Sequence, residues 1–167
     1  PVLALQAFSH LYVTFYPYAV NYVEGFVLDD AVRLGRLSNI YGDPSAHPYN
    51  LSVYTPLYPL LTGFVLQMTG PVMWPARAIS LLAFAVLCGL VGRSVTRING
   101  LGPGVVAAVT LAASPAFHPW AALVKPDLLG LALSFAGLYV LDRNGCDDRL
   151  PSRPLLVAAV LFAAGFW

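Results

Sequence analysis

The stretch from residue 76 to residue 92 reads ARAISLLAFAVLCGLVG and decides the class of fold. Arg77 is its only charged residue, and Arg93 and Arg97 follow soon after it. A helix of about 20 predominantly apolar residues is long enough to cross a bilayer. We therefore expect a membrane-spanning helix here, with arginines near both of its ends.

The composition of the whole chain agrees with this expectation. Of its residues 58% are hydrophobic and only 10% are charged, and its mean hydropathy is +0.70. A soluble domain carries about 25% charged residues, so we expect an integral membrane protein. The nine Lys and Arg are spread thinly and the net charge is only +1. This excludes a nucleic-acid-binding protein, which needs a strongly basic face.

Further apolar runs predict an all-α, polytopic membrane protein, a transmembrane helix bundle. The predicted spans are residues 2–20, 76–92, 105–124, 128–141 and 154–167, and residues 21–75 form a long outer loop. Within that loop, residues 56–68 are too few to span and are interrupted by Pro and Gly, so they dip into the membrane or lie along its interface. The chain begins at Pro1 without an initiator methionine and ends inside an apolar run. We expect it to be the N-terminal part of a longer chain, forming a single transmembrane domain.

The outer loop is the longest polar interruption of the sequence. It carries four of the eight carboxylates: Glu24, Asp29, Asp30 and Asp43. Between residues 24 and 37 apolar positions recur at helical spacing, which predicts an amphipathic helix in the membrane interface. Asp29 and Asp30 precede Arg33 by four and three residues, so we interpret them as members of surface ion pairs on that helix.

Glu24 differs from these carboxylates because it lies where the first span meets the amphipathic helix. It follows Val23, precedes Gly25 and has no basic residue one turn away. The helix macrodipole keeps a carboxylate at an N-terminus ionised, which suits a general base or a metal ligand. A plain helix cap explains the same position equally well. The residues alone leave both interpretations open.

The distribution of basic residues predicts the orientation. Five arginines fall in two short loops on one side: Arg93, Arg97, Arg143, Arg149 and Arg153. The positive-inside rule makes that side cytoplasmic, so the outer loop faces outside together with Arg77, Lys125 and Asp127. Charged groups at the ends of different helices can converge on one site, or they can simply mark the helix boundaries.

The order of several segments resembles a known family. An acidic residue after the first span is followed by VYTPLYPLL at 53–61, GPVMWPARAISLL at 70–82 and LVKPDLLGLALSFAGLYVL at 123–141. This order resembles the N-terminal part of the C-superfamily of integral-membrane glycosyltransferases. It is most similar to the bacterial and archaeal polyprenyl-phosphate sugar transferases that are related to aminoarabinose transferases and protein O-mannosyltransferases.

The resemblance implies a hexosyl- or pentosyltransferase of the cell envelope. Such an enzyme moves a sugar from a polyprenyl-phosphate donor in the bilayer to a glycan, lipid or protein acceptor. Its active site would lie on the extracytoplasmic side of the cell membrane of a prokaryote. The resemblance further implies that Glu24 is the catalytic base, or that it binds a divalent Mg or Mn ion together with Asp127. Many members have an Asp-Glu pair at this place, whereas this chain has Val23 before Glu24.

The resemblance also indicates which residues bind the donor. Some members place a Lys before the proline of the aromatic segment to bind the lipid phosphate, but this chain has Thr55 there. Three cations are therefore candidates for that role: Lys125, Arg77 and Arg33. Tyr54 and Tyr58 of the same segment are candidate substrate-binding residues, because such rings stack on sugars or anchor in the headgroup region.

A transporter and a non-catalytic membrane subunit are the alternative functions. Helices broken by Pro and Gly, such as residues 56–68, also build the midplane sites of transporters. Against transport, the charges lie at helix ends rather than in mid-span, and no internal repeat is apparent. A degenerate relative without catalysis is a further hypothesis, because part of the usual carboxylate pair is missing.

Overall fold

The structure is a computed structural model that describes residues 2–43, 45, 52–143 and 152–166. Its regular elements in this part of the chain are all helices. They are α1 (Val2–Phe15), α2 (Tyr22–Gly35), α3 (Leu57–Thr69), α4 (Met73–Asn99), α5 (Leu101–Ala112), α6 (Asp127–Arg143) and α7 (Ser152–Phe166). The prediction of an all-α protein is confirmed for the described residues.

The helices pack around α4. It contacts α1, α3, α5 and α6, while α2 packs against α3 and α6 against α7. One apolar cluster lies between α4 and α6 and contains Ala83, Phe84, Leu87, Leu128 and Ala132. A second cluster joins α2, α3, the start of α4 and the chain before α6, and it contains Val27, Tyr58, Ala76 and Val124. The second cluster lies at the end of the bundle where the predicted site residues are.

Helix α4 contains the stretch that predicted the fold, and it extends beyond residues 76–92 at both ends. Its most apolar window has a mean hydropathy of 2.0, and among the described helices it is the one long and apolar enough to cross a membrane. Pro75 lies in its first turn, where a missing backbone N–H costs no helical hydrogen bond. Gly100, with φ 88°, ends α4 in a backbone conformation that favours glycine and leads directly into α5.

Two of the predicted spans are helical over only part of their length. Helix α1 ends at Phe15, shortly before Pro17, and α5 ends at Ala112 instead of continuing to residue 124. Residues 113–126, which we call the turn segment, form successive turns instead. Prolines at 115 and 119 lack the backbone N–H that a continuous helix needs. The turn segment thus brings Lys125 to the start of α6 in a non-helical loop.

Large apolar side chains cover the outward faces of several helices. More than half of the surface is exposed for Leu5, Phe8, Leu82, Val106, Leu156 and Val160. Extended apolar surface on the outside of a protein marks contact with a partner or a membrane. Helices α1, α4, α5 and α7 present such surface outward.

Helices α2 and α3 approach each other so closely that glycine is required at their contact. A Cβ on Gly35 would lie 2.8 Å from the carbonyl oxygen of Gly63, and a Cβ on Gly63 would overlap the carbonyl oxygen of Ala31. The side chain of Gln67 in α3 also donates a hydrogen bond to the carbonyl of Gly35. These contacts fix α3 against α2.

Replacing Gly63 by alanine is expected to lower the free energy of unfolding by about 1 to 3 kcal/mol, because the methyl group forces α2 and α3 apart. Gly89→Ala is the matched control, since a Cβ on Gly89 in α4 meets nothing within 4 Å. Alanine is also the better helix former, so the control variant is expected to be at least as stable as the wild type. Denaturant unfolding of both full-length variants in detergent measures the difference. Equal stabilities of the two variants would contradict the close contact.

Candidate functional site

Glu24 and Arg77 form a buried ion pair where α2 and α4 begin. Arg77 Nε donates to Glu24 Oε1 at 2.9 Å, and Arg77 Nη2 donates to Glu24 Oε2 at 2.8 Å. Both side chains are fully buried. Two parallel hydrogen bonds between a guanidinium and a carboxylate are a strong and directional arrangement. The structure thus brings two of the predicted site residues into direct contact.

The other N–H groups of Arg77 bind the end of α1. Nη1 donates to the carbonyl oxygens of Val13 at 2.7 Å and Tyr16 at 2.6 Å, and Nη2 donates to the carbonyl oxygen of Tyr18 at 2.8 Å. A guanidinium has five N–H donors, so these three bonds and the two to Glu24 use all of them. The last carbonyls of a helix lack partners within the helix. Arg77 therefore satisfies the C-terminal end of α1.

Glu24 in turn accepts hydrogen bonds from three backbone amides. Val20 N at 2.7 Å and Asn21 N at 3.3 Å donate to Oε2, and Val124 N at 2.9 Å donates to Oε1. Asn21 and Glu24 form a capping box at the start of α2. Burial acts to raise the pKa of Glu24, but the hydrogen bonds from Arg77, Val124 and Val20 outweigh it and hold that pKa below its ordinary value. Glu24 is therefore ionised at neutral pH.

We call Glu24, Arg77 and their backbone partners the outer network. It joins the end of α1, the starts of α2 and α4, and the turn segment. Both oxygens of Glu24 accept hydrogen bonds and neither is exposed. To act as a base or a metal ligand, the carboxylate would have to give up one of these donors. The prediction that Glu24 has such a role stays a prediction.

A cleft of about 220 Å³ lies between the turn segment and α6, and we call it the outer cleft. Its lining includes Phe117, Trp120, Lys125, Asp127, Leu128 and Leu131. Lys125 Nζ lies 4.0 Å from the centre of the Trp120 ring, which is a cation–π contact. Asp127 is exposed at the first residue of α6. The outer cleft therefore combines a cation, an indole ring and a carboxylate with apolar walls.

The outer cleft adjoins the outer network through the backbone. Val124, whose amide binds Glu24, directly precedes Lys125. The carbonyl oxygen of Lys125 accepts a hydrogen bond from Ser80 Oγ of α4 at 3.2 Å. The backbone of residues 124 and 125 is thus hydrogen-bonded to one side chain of α2 and one side chain of α4. These bonds fix the backbone position from which the Lys125 side chain extends.

Tyr58 lies in the core instead of facing a ligand. Only 1% of it is exposed, and its hydroxyl donates to the carbonyl oxygen of Ala76 at 2.8 Å and lies 2.9 Å from Ser80 Oγ. Burial raises its pKa well above the ordinary value. The predicted substrate contact does not fit this placement, because both the ring and the hydroxyl are enclosed by protein.

Tyr54 and Arg33 have different surroundings. Tyr54 is half-buried, and burial together with the charge of Asp127 raises its pKa. Its carbonyl oxygen accepts a hydrogen bond from the Tyr41 hydroxyl at 2.8 Å. Arg33 Nη2 donates to the carbonyl oxygen of Asn39 at 2.7 Å and does not line the cleft. Neither Tyr54 nor Arg33 is among the described residues that line the outer cleft, although the charge of Asp127 acts on Tyr54.

Asp30 is not the surface residue that its spacing from Arg33 predicts. Only 3% of it is exposed, because it shares a face of α2 with the buried Val27 and Ala31. In the part of the chain that the structure describes, its Oδ1 has no hydrogen-bond partner. Burial raises the pKa of Asp30, and the neighbouring Ser52 hydroxyl and the charge of Arg33 oppose this only in part. The interpretation of Asp30 as a surface ion-pair residue is corrected accordingly.

Asp30→Asn is expected to stabilise the protein at neutral pH. The native pKa of Asp30 lies above its ordinary 3.8, so the native state binds more protons than the unfolded state between the two values. The free energy of unfolding of the wild type therefore falls as the pH rises through this window. The Asp30→Asn variant does not titrate at this position, so its stability does not show this decrease. The advantage of the variant is greatest at neutral pH and disappears at acid pH. Denaturant unfolding as a function of pH measures it.

Asp43→Asn is the control, because the pKa of Asp43 is shifted in the opposite direction to that of Asp30. Asp43 accepts hydrogen bonds from the backbone amide of Ser45 at 2.8 Å and from its hydroxyl at 2.6 Å, and these bonds lower its pKa. Its contribution to stability is therefore present above the ordinary pKa and is lost as the pH falls. If both variants showed the same pH profile, the assignment of Asp30 as a buried carboxyl group would be contradicted.

The predicted Mg or Mn ion does not fit the described carboxylates. A site of this kind needs several oxygen ligands with free lone pairs. The oxygens of Glu24 already accept N–H donors, which leaves Asp127 as the one predicted ligand with an exposed carboxylate. Within the described ranges no group of three His, Cys, Asp or Glu lies close enough to bind a metal ion. The described side chains alone therefore do not form the predicted metal site.

Sequence reasoning did not assign a role to two groups at this site. The amide of Val124 binds a carboxylate 100 positions away, and a backbone amide leaves no signal in the sequence. Trp120 does leave a signal in the sequence. It is an indole five residues before a lysine at a predicted membrane boundary, and its ring contacts that cation in the structure. Its role follows from the turns of residues 113–126, which replace the second half of the span predicted at residues 105–124.

Comparison with known proteins identifies the family. The model of the family described as dolichyl-phosphate-mannose-protein mannosyltransferase matches residues 47–167. This range includes Arg77, Lys125 and Asp127, whereas Glu24 precedes it. No curated protein and no solved structure matches the chain. Because the family match covers more than half of its residues, the chain belongs to the dolichyl-phosphate-mannose-protein mannosyltransferase family.

Proposed function

We propose that the protein transfers a sugar from a polyprenyl-phosphate carrier to a hydroxyl or amine acceptor at the outer face of a prokaryotic cell membrane. Membership of the family supports a membrane-embedded glycosyltransferase of the mannosyltransferase type. The observation that carries the finer proposal is the outer cleft, where Lys125 and Asp127 stand next to the apolar Leu128 and Leu131. A phosphate attached to a long isoprenoid has the matching chemistry.

The cleft fits the two halves of such a donor. Lys125 offers the positive charge that attracts a phosphate, and Trp120 packs against it. Leu128 and Leu131 lie on the first turns of α6 and offer apolar surface to the isoprenoid. Of the three predicted phosphate-binding cations, Lys125 is the one that lines the cleft, since Arg77 has used all its donors and Arg33 binds Asn39. We therefore propose Lys125 as the phosphate-binding residue.

In the proposed step the acceptor oxygen or nitrogen attacks the anomeric carbon of the sugar. A bond forms between the acceptor and this carbon, and the bond from the carbon to the phosphate oxygen breaks. The electron pair of the broken bond stays on the polyprenyl phosphate, whose added negative charge Lys125 stabilises. The proton of the acceptor passes to the carboxylate of Asp127, which lines the same cleft.

We propose that Glu24 has a positioning role, although its place in the sequence also suits a base. Its carboxylate fixes the amide of Val124 at 2.9 Å, next to Lys125, and is itself bound by Arg77. A base needs a free lone pair within reach of the acceptor's proton. The contacts of Glu24 support placement of the cleft, and Asp127 supplies the exposed carboxylate.

The proposed orientation follows from the charges at the two ends of the bundle. α4 supplies one span, and the shorter apolar helices with their apolar outward faces supply the rest of a polytopic bundle. Arg93, Arg97, Arg143 and Arg153 lie at the end opposite the outer cleft. The positive-inside rule places that end in the cytoplasm. The outer cleft then faces the extracytoplasmic side.

The test uses membranes that contain the full-length protein and a panel of radiolabelled polyprenyl-phosphate hexoses and pentoses. Label is expected to leave the lipid and appear in glycan, lipid or protein. Nucleotide sugars serve as the donor control, and label transferred from them without any lipid intermediate would contradict the donor class. Uptake of a labelled solute without any glycosyl product would contradict the enzyme class and favour a transporter.

A further inference from the structure

A second cavity lies at the opposite end of the bundle from the outer cleft. It measures about 360 Å³ and lies between the end of α6 and the start of α7, and we call it the inner cavity. Its lining consists of Tyr139, Val140, Arg143, Arg153, Pro154 and Val157. Asp127 begins α6 and Arg143 ends it, so a helix of roughly 25 Å separates the two sites.

The cations of the inner cavity differ from their neighbours on α4. Arg97 pairs with Asp142 at 2.9 Å, and Arg93 Nε donates to the Tyr139 hydroxyl at 2.9 Å. The guanidinium groups of Arg143 and Arg153 have no carboxylate partner among the described residues. Two arginines that line one cavity and have no carboxylate partner in the described part of the chain fit an anion, because an Arg fork matches phosphate geometry.

The net charge of this end supports the same conclusion. The sequence segments 93–97 and 142–153, which we predict to form the loops at this end, contain five arginines and three aspartates: Arg93, Arg97, Arg143, Arg149, Arg153, Asp142, Asp147 and Asp148. Five positive and three negative charges give a net charge of +2, although Arg149, Asp147 and Asp148 lie outside the described residues. Within the described residues the balance is four to one, a net charge of +3.

The remaining walls of the inner cavity are apolar. Val140 of α6 is half-buried and Val157 of α7 is exposed, and Pro154 lies in the first turn of α7. A soluble anion needs no such surface. A phospholipid does, because its acyl chains begin directly beneath its phosphate.

We propose that the inner cavity binds the headgroup of an anionic phospholipid of the cytoplasmic leaflet. Arg143 and Arg153 bind the phosphate, and the acyl chains run along Val140 and Val157. This inference rests on the proposed orientation and not on sugar transfer. The polyprenyl-phosphate donor does not compete for the inner cavity, because its proposed site is at the other end of α6. Basic pockets between helices on the cytoplasmic side are suited to such headgroups.

The test measures binding of phosphatidylglycerol to delipidated full-length protein in detergent by native mass spectrometry. Arg143→Gln combined with Arg153→Gln is expected to weaken binding roughly 30-fold, since each arginine near anionic lipid contributes about a fivefold factor. Arg143→Lys with Arg153→Lys keeps both charges and is expected to retain most of the affinity. Arg36→Gln is the matched control, because Arg36 is an exposed arginine that does not line the inner cavity.

Several outcomes would overturn the proposal. One is equal phosphatidylglycerol affinity of the glutamine pair and Arg36→Gln. Another is displacement of the lipid by glycerol phosphate at equal concentration, which would make the ligand a soluble phosphate. If the glutamine pair fails to fold, Arg153→Gln alone must still weaken binding about fivefold. Sugar transfer is measured on the same preparations, and intact transfer without lipid binding would overturn this inference alone.

Discussion

Arg77→Gln is expected to lower the free energy of unfolding by about 3 to 5 kcal/mol, which is enough to remove most of the folded full-length protein from membranes. The substitution leaves the carboxylate of Glu24 buried without its counter-charge. It also removes donors from the carbonyl oxygens of Val13 in the last turn of α1 and of Tyr16 and Tyr18 directly after it. A buried charge without a partner is among the most costly changes that a single substitution makes.

Arg93→Gln is the control, because Arg93 is an exposed arginine on the same helix. It loses a hydrogen bond to the Tyr139 hydroxyl, and its effect is expected to stay within about 1 kcal/mol. Equilibrium unfolding of both purified variants in detergent gives the comparison. Stability of Arg77→Gln equal to that of Arg93→Gln would contradict a structural role for the outer network.

Lys125→Gln is expected to lower the rate of sugar transfer by about 10²- to 10³-fold while the protein remains folded. The substitution removes the cation of the outer cleft that we propose stabilises the departing phosphate. Stability changes little, because the side chain is partly exposed and its backbone contacts remain. The measurement is initial transfer from radiolabelled polyprenyl-phosphate sugar, normalised to folded protein.

Two further variants serve as controls for the effect of Lys125→Gln on the transfer rate. Lys125→Arg keeps the positive charge and the contact with the Trp120 ring, so it is expected to recover much of the rate. Arg36→Gln removes an exposed arginine outside the cleft and is expected to leave the rate unchanged. A wild-type rate in Lys125→Gln would exclude it as the phosphate-binding residue.

The sequence predicted the helices well where hydropathy decides the structure. The clean apolar run at residues 76–92 lies inside α4, and the helical spacing after Glu24 corresponds to α2. It failed where proline interrupts an apolar run, as at residues 113–124, because hydropathy does not distinguish apolar turns from an apolar helix. The turn segment forms one wall of the outer cleft, so this error concerned the site itself.

The burial and the partners of the site residues depend on contacts between residues far apart in the sequence. The charges at helix ends suggested that Glu24 and Arg77 meet, and they do. Tyr58 was predicted to contact substrate and Asp30 to form a surface ion pair, but both side chains are buried in the structure. A one-dimensional pattern shows which face of a helix is apolar, whereas the partner of that face depends on tertiary packing.

The most direct test of the account is the transfer rate per folded molecule of Glu24→Gln. If Glu24 positions the outer cleft, the variant is less stable, by about 3 to 5 kcal/mol, because Arg77 loses its counter-charge. The molecules that do fold keep Lys125 and Asp127, so their transfer rate is expected to stay within about tenfold of the wild type. A variant as stable as the wild type but slower in transfer by a factor of about 10⁴ would contradict the account and identify Glu24 as the base.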